Sequence, residues 1–169
     1  VCDLIEKAVK EVVECGAQAS SYREIGEKCD IVFLILPNGD ISKSVLFDEG
    51  GVAQSLTDGK VVCDMSSVTP VESKECFAGL EKIGVGFVDS PVSGGEPGAV
   101  NGTLAFMAGG RQEDFDKLMP YYNIMGSSAV LIGDSGSGSV TKLANQIIVN
   151  NTIAIVSEAF VMATKAGAD

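Results

Sequence analysis

Near its C-terminal end the chain reads GDSGSGSVTKLANQ, residues 133–146, in which a glycine- and serine-rich opening runs into a helical pattern. Lys142 falls in the early turns of that helix, and Asn145 and Gln146 follow it by three and four residues, on the same face. One ammonium beside two carboxamides can hold a carbonyl and a hydroxyl together, and an ammonium near a helix N-terminus is a candidate proton donor. A solvated surface lysine is the plain alternative. The stretch is not a phosphate-binding loop, because Gly138 is followed by serine and Lys142 by leucine, which breaks GxxxxGK[ST]; GxGxxG fails too.

A second stretch, DSPVSGGEPGAVNGTLAFMAGG from Asp89 to Gly110, joins two apolar runs. The thirteen residues Val92–Leu104 hold four glycines and a proline, more than a chain reversal requires. Ser93, Gly94 and Gly95 read either as a flexible turn or as backbone N–H groups open to an anion because no side chains intervene.

These residues need a scaffold. The apolar run DIVFLILP, Asp30 to Pro37, reads as a strand buried on both faces, and KVVCDMSS (Lys60 to Ser67) and VGFVDSPV (Val85 to Val92) repeat the theme. Each of the latter two reaches an aspartate where its strand should end. Further strands are expected at Thr103–Ala108 and Ala129–Ile132. Helices are expected at Leu4–Cys15, Pro70–Ile83 and Gln112–Met125. Such alternation specifies an α/β, doubly wound, mostly parallel sheet, in which ligands sit beyond the carboxyl ends of the strands. Pro37–Asn38, Ser66–Ser67 and Ser93–Gly95 are then expected to line one crevice.

The chain has 169 residues, 46% of them apolar, enough for one good core. A net charge of −11 with only 12 scattered basic residues argues against nucleic acid as a partner. The five cysteines have no paired CxxC spacing and there is no histidine, so no metal site is expected and the cysteines read as small apolar core residues of a reduced compartment. The longest apolar segment, Ile147–Met162, is interrupted by Asn150, Asn151, Ser157 and Glu158, which points away from a membrane span and to a cytoplasmic protein. Its apolar residues point around the whole circumference of one helix from Gly138 to Gly167, and the remaining elements are too few to wrap it.

SGGEP and KLANQ, together with LPN (Leu36 to Asn38) and DMSS (Asp64 to Ser67), resemble the β-hydroxyacid dehydrogenase family, and the resemblance runs from Cys2 to the last residue. It implies a Rossmann-like domain over residues 1–137 and, over 138–169, the start of a long interdomain helix. It implies NAD(H)-dependent reduction of a small carboxylated semialdehyde, tartronate semialdehyde to glycerate as first choice, with oxidation of the 3-hydroxyisobutyrate type as the alternative. Lys142 would be the catalytic acid/base and Asn145 would orient substrate. Ser93, Gly94 and Gly95 would bind the substrate carboxylate. Several family members carry the orienting amide four residues after the lysine, where this chain has Gln146, so either amide is open. Leu36, Pro37, Asn38 and Ser66 would line the dinucleotide. Asp3 stands where an acid meets the adenosine ribose, which favours NAD over NADP.

By the same resemblance the sheet is truncated at its N-terminus: a strand and GxGxxG loop of about 30 residues would precede VCDLIEKA. A helical domain would follow KAGAD, and the long helix would make a homo-oligomer with a second subunit. A reading of another class is an inactive fragment serving only as an oligomerising module.

Overall fold

A computed structural model describes residues 1–168. Three short parallel strands form the centre of the sheet: β1 (Ile31–Leu34), β2 (Val61–Asp64) and β3 (Gly86–Asp89), paired in that order. A two-residue strand β4 (Val92–Ser93), β5 (Leu104–Gly110) and β6 (Gly126–Gly133) complete six strands. The end of β5 runs antiparallel to β3 at Asp89↔Gly109, its start runs antiparallel to β4, and β6 lies parallel to it. The sheet is therefore Rossmann-like and mixed, with its antiparallel joint where the glycine-rich stretch turns back.

Helices α1 (Glu6–Glu14), α2 (Tyr22–Lys28), α3 (Gly39–Phe47) and α4 (Pro70–Glu81) come first in the chain, followed by α5 (Gly95–Asn101), α6 (Gln112–Met125) and α7 (Ser137–Lys165). The start of α4 is fixed by its own sequence: Thr69 accepts from Glu72 N, Glu72 answers Thr69 N, and Pro70 needs no donor partner in the first turn. Alternate residues of the strands feed two cores. Val62 and Phe87 pack with Leu46 and Leu80 on the α3–α4 face, and Val61, Cys63 and Val88 pack with Leu118 and Tyr122 of α6 on the other.

β2 and β3 are buried on both faces, as their unbroken apolar runs imply, but β1 is not. Ile31 and Phe33 stay half-exposed, with Phe33 against Tyr121 at 5.6 Å, because among the described residues β1 is paired on one edge only. Two of the cysteines depart from the core reading: Cys63 and Cys76 are buried and Cys29 half-buried, but Cys2 and Cys15 are exposed. α1 forms on its helical spacing, yet buries none of its residues.

α7 is docked only by its first turns, where Gly138 and Ser139 are buried. Gly138 is pressed so close to the sheet that a Cβ there would stand 2.6 Å from Asp89 O and against Met107 O. Farther on, Ile147, Ile155, Phe160 and Met162 are 65–70% exposed. By length and composition α7 could cross a membrane, its most apolar stretch having a mean hydropathy of 1.6; the core helix of a soluble protein passes the same test.

What holds that first turn is Asp89, fully buried at the end of β3. Its Oδ1 accepts from Gly136 N at 2.6 Å and its Oδ2 from Ser139 N at 2.8 Å. Burial pushes the carboxyl up to about 6 from an ordinary 3.8, against the opposing pull of those two N–H donors. The folded chain thus holds this proton more tightly than the unfolded one. Its stabilising contribution is whole below about pH 4 and is lost as the pH rises through 6, a swing of about 3 kcal/mol. Urea titrations of the chain and of Asp89→Asn at pH 5 and pH 7.5 should show the stability of the unsubstituted chain falling relative to the variant at the higher pH. An unchanged difference would mean that the carboxyl titrates normally.

Candidate functional site

The carboxyl ends of β1 and β2 are tied together before they reach the cleft. Ser66, 2% exposed, accepts from Leu36 N through Oγ at 2.8 Å and donates its own N–H to Asp64 Oδ1 at 2.9 Å. Its hydroxyl is thereby committed to the scaffold, and the neighbour that reaches the cleft is the exposed Ser67. Among the described residues Asp64 Oδ2 has no hydrogen-bond partner within bonding geometry, and burial pushes this carboxyl above its ordinary range against the pull of the Ser66 and Ser42 groups near it.

Asn38 caps α3 by accepting from Ile41 N at 3.0 Å, so the LPN turn becomes a helix start. Asn38 and Gly39 form one wall of an open cleft of about 350 Å³; Ser67, Val68, Thr69 and Glu72 form the floor, and Lys142, Leu143 and Gln146 of α7 close it. Glu72 was not singled out as a site residue by the sequence. It enters because its capping duty to Thr69 turns its carboxylate toward Gly39, where a Cβ would collide with it. Hydrogen bonds from Thr69 hold Glu72 below the usual carboxylate range.

The glycine-rich stretch is not a loose loop. It makes β4 and then α5, a short helix that Gly94 and Gly95 enter with φ of 133° and 60°, conformations that side chains resist. Both glycines are exposed. Lys142 extends from α7 to this segment and donates from Nζ to Val92 O at 2.8 Å, one residue before Ser93. The lysine thus spans the cleft wall and the glycine turn, which the sequence had put in separate motifs. Of the two carboxamides, Gln146 lines the cleft, while Asn145, half-buried, donates to Gln146 Oε1 at 3.3 Å.

Leu36 and Asp3 lie on a second groove of about 340 Å³ that runs along β1, with Val1, Cys2, Tyr22 and Val45 among its lining residues. Asp3 accepts from Ile5 N at 2.7 Å. Pro37 is exposed between the two grooves in sequence. Among the described residues, no three His, Cys, Asp or Glu side chains converge where a metal could sit.

This arrangement can receive an elongated ligand along the strand ends, offer backbone N–H groups at the glycine turn, and present one ammonium between them. Known proteins are similar to this chain in sequence and fold. The NAD-binding domain model of 6-phosphogluconate dehydrogenase matches residues 1–133, and that of the NAD-binding segment of NADP-dependent 3-hydroxyisobutyrate dehydrogenase matches 136–169. The 2-hydroxy-3-oxopropionate reductase of Escherichia coli strain K12 is 40% identical over 160 residues, 94% of this chain and 55% of that protein. The 2-(hydroxymethyl)glutarate dehydrogenase of Eubacterium barkeri is 36% identical over 166 residues, 98% of this chain and 55% of that one. The solved 3-hydroxyisobutyrate dehydrogenase of Mycobacterium tuberculosis with L-serine superposes with a TM-score of 0.92 at 28% identity, covering 99% of this chain and 57% of that one. The chain thus spans about half the length of the relatives it matches, and it belongs to the β-hydroxyacid dehydrogenase family, with the NAD-binding domain of the 6-phosphogluconate dehydrogenase type.

Proposed function

We propose that this chain forms the cofactor- and substrate-binding part of a nicotinamide-dependent reductase of a small carboxylated semialdehyde, tartronate semialdehyde first. The observation that carries the reading is the Lys142 ammonium held 2.8 Å from Val92 O, beside the Ser93–Gly95 turn and on the cleft shared with Asn38. Residues 1–137 serve as the dinucleotide-binding domain and 138–169 as the start of an interdomain helix, a division supported by the two family models meeting between 133 and 136.

The clefts fit a dinucleotide in their order along the strand ends: Asp3 and Leu36 on one groove, Pro37 at the turn, and Asn38 with Ser67 on the other. The cofactor, when bound, supplies or accepts the hydride. Ser93, Gly94 and Gly95 orient the substrate by holding its carboxylate on backbone N–H groups, so that the carbonyl meets Lys142. Lys142 holds a proton at Nζ and donates it to the oxygen that gains charge as the carbonyl is reduced; in the oxidative direction it takes the proton back. Gln146, on the cleft, and Asn145 behind it share the task of orienting the substrate hydroxyl. The SGGEP turn and the 40% identity to the bacterial reductase support tartronate semialdehyde. Oxidation of a 3-hydroxyisobutyrate-type acid is the second reading, favoured by the structural match to such an enzyme.

The acid at Asp3 favours NADH over NADPH, because a 2′-phosphate would face a carboxylate; the NADP-dependent family named for residues 136–169 stands on the other side. In the full-length protein, kcat/KM should be higher with NADH, and Asp3→Ser should narrow the gap. A preference for NADPH would remove Asp3 from the ribose site.

Lys142→Ala should lower turnover by ~10² or more, with the fold unchanged by circular dichroism. Wild-type turnover in that variant would leave Lys142 a surface residue. Gly95→Ala tests the turn, since its Cβ would meet only Pro97 Cδ at 3.7 Å and the strain at its φ is about 1–2 kcal/mol. The KM for the semialdehyde should rise while the NADH dissociation constant stays put. Equal losses in both would move the turn out of the substrate site.

The apolar second half of α7 is the surface for a homo-oligomer. Light scattering on this chain should show self-association, and replacing Ile148, Ile155 and Phe160 with Ser should abolish it; a monodisperse unsubstituted chain would refute that assignment.

A further inference from the structure

The aspartate at the end of β3 has no role in the reading above, yet it is the contact through which the lysine is aimed. We propose that Asp89 is a positioning residue of the site, acting through the first turn of α7 to hold the Lys142 ammonium at the glycine turn. The inference rests on the assignment of Lys142 as the proton donor.

Four observations carry it. Gly136, at the start of α7, has a φ of 91° and no side chain to cap the helix, so the first-turn amides must be satisfied from elsewhere. Asp89 satisfies two of them, one per carboxylate oxygen, at 2.6 and 2.8 Å. The contact is closed to adjustment: a Cβ on Gly109 would stand 2.8 Å from both Asp89 Oδ1 and Gly138 N, and Ser139 Oγ is hydrogen-bonded to Ser73 Oγ of α4 at 2.8 Å. Finally, Lys142 lies one turn beyond Ser139, and Val92, whose carbonyl it reaches, lies three residues beyond Asp89. Residues 89–92 therefore grip α7 twice, once by a carboxylate and once through the lysine itself. Shifting the helix start displaces the ammonium from the turn, while the cofactor wall of Asn38 and Ser67 stays with the segments that follow β1 and β2.

This predicts a separation of kinetic parameters in the full-length protein. Asp89→Asn keeps an oxygen for one amide and Asp89→Ala keeps none. kcat should fall stepwise in that order, reaching on the order of 10²-fold for alanine, as expected for a misplaced proton donor. The NADH dissociation constant should stay within about twofold, since Asn38 and Ser67 are not carried by α7. Gly138→Ala keeps the carboxylate but pushes on the same contact from the helix side, its Cβ standing 3.0 Å from Asp89 Oδ2, and should give the same signature should the aspartate variants fail to fold. A loss of kcat matched by equal losses in NADH affinity would show a general structural role and overturn the inference, as would wild-type kcat in folded Asp89→Ala or Gly138→Ala. Lys142→Ala measured beside them keeps the two claims apart. Wild-type turnover there defeats the lysine assignment. A dead Lys142→Ala with active Asp89 and Gly138 variants defeats only the positioning.

Discussion

A carboxylate buried against the amides of a helix that cannot cap itself is the constraint on which the rest of this structure depends. Gly136 offers no side chain to the first turn of α7, and the acceptor comes instead from the sheet, at the end of β3. Removing Asp89 from water is costly, as its raised pKa shows, and the positive end of the helix dipole with two charge-assisted hydrogen bonds offsets part of that cost. The surrounding residues follow from the contact. Gly109 and Gly138 must lack side chains for helix and sheet to approach, and Ser139 takes its second partner from Ser73 of α4. Helix α7 is fixed to two layers of the fold before its lysine is reached.

The antiparallel joint between β3 and β5 supplies the other half of the geometry. If β5 had continued the parallel pattern, the residues after Asp89 would have had to leave the sheet for a crossover helix. Instead the chain steps through Ser90 and Pro91 into β4, pairs Val92 with Phe106, and turns at Gly94 and Gly95 into α5. The glycine turn stays beside the ends of the parallel strands. There it meets Lys142, while Ser66 and Asp64 hold the ends of β1 and β2 in line. A parallel centre and an antiparallel return thus share one edge, which carries the cofactor and substrate sides of the proposed site.

Much of this was legible in the sequence because the signals were local. The apolar runs ending in Asp64 and Asp89 gave β2 and β3, Pro70 gave the start of α4, and the interval Gln112–Met125 gave α6 with its observed bounds. The motifs at Asn38, Ser67, Ser93–Gly95 and Lys142 stood out by composition, and the fold brings them to one cleft and the turn beside it. What local pattern could not give were relations across the chain. β1 reads as doubly buried from its residues, but its pairing on one edge only, among the described residues, leaves Ile31 and Phe33 half-exposed. The stretch Val92–Leu104 reads as loop because glycine and proline hide a two-residue strand and a seven-residue helix. The tie between the ends of β1 and β2, in which Ser66 Oγ accepts from Leu36 N, is likewise invisible to local pattern. Asp89 could have been flagged by one signal only, an acid inside a run too apolar to leave it solvated.

The two halves of α7 stand in different physical situations, and the helix joins them. Twenty-nine residues make a rod of roughly 43 Å at about 1.5 Å per residue. Its first turns are held by hydrogen bonds and close backbone contacts that admit almost no displacement, whereas Ile153, Ile155, Phe160 and Met162 are 61–70% exposed. Apolar area of that extent is stable in water only when covered. A partner surface laid over it would act on a lever whose other end carries Lys142. A rigid rod pinned at one end transmits a push at the far end as torque on the pin, here two hydrogen bonds to one carboxylate and the Ser139–Ser73 contact. The clamp at Asp89 therefore has to resist more than thermal motion of a local turn. That demand gives a physical reason for a buried, charge-assisted, doubly bonded anchor where a simple serine cap would have satisfied the amides alone.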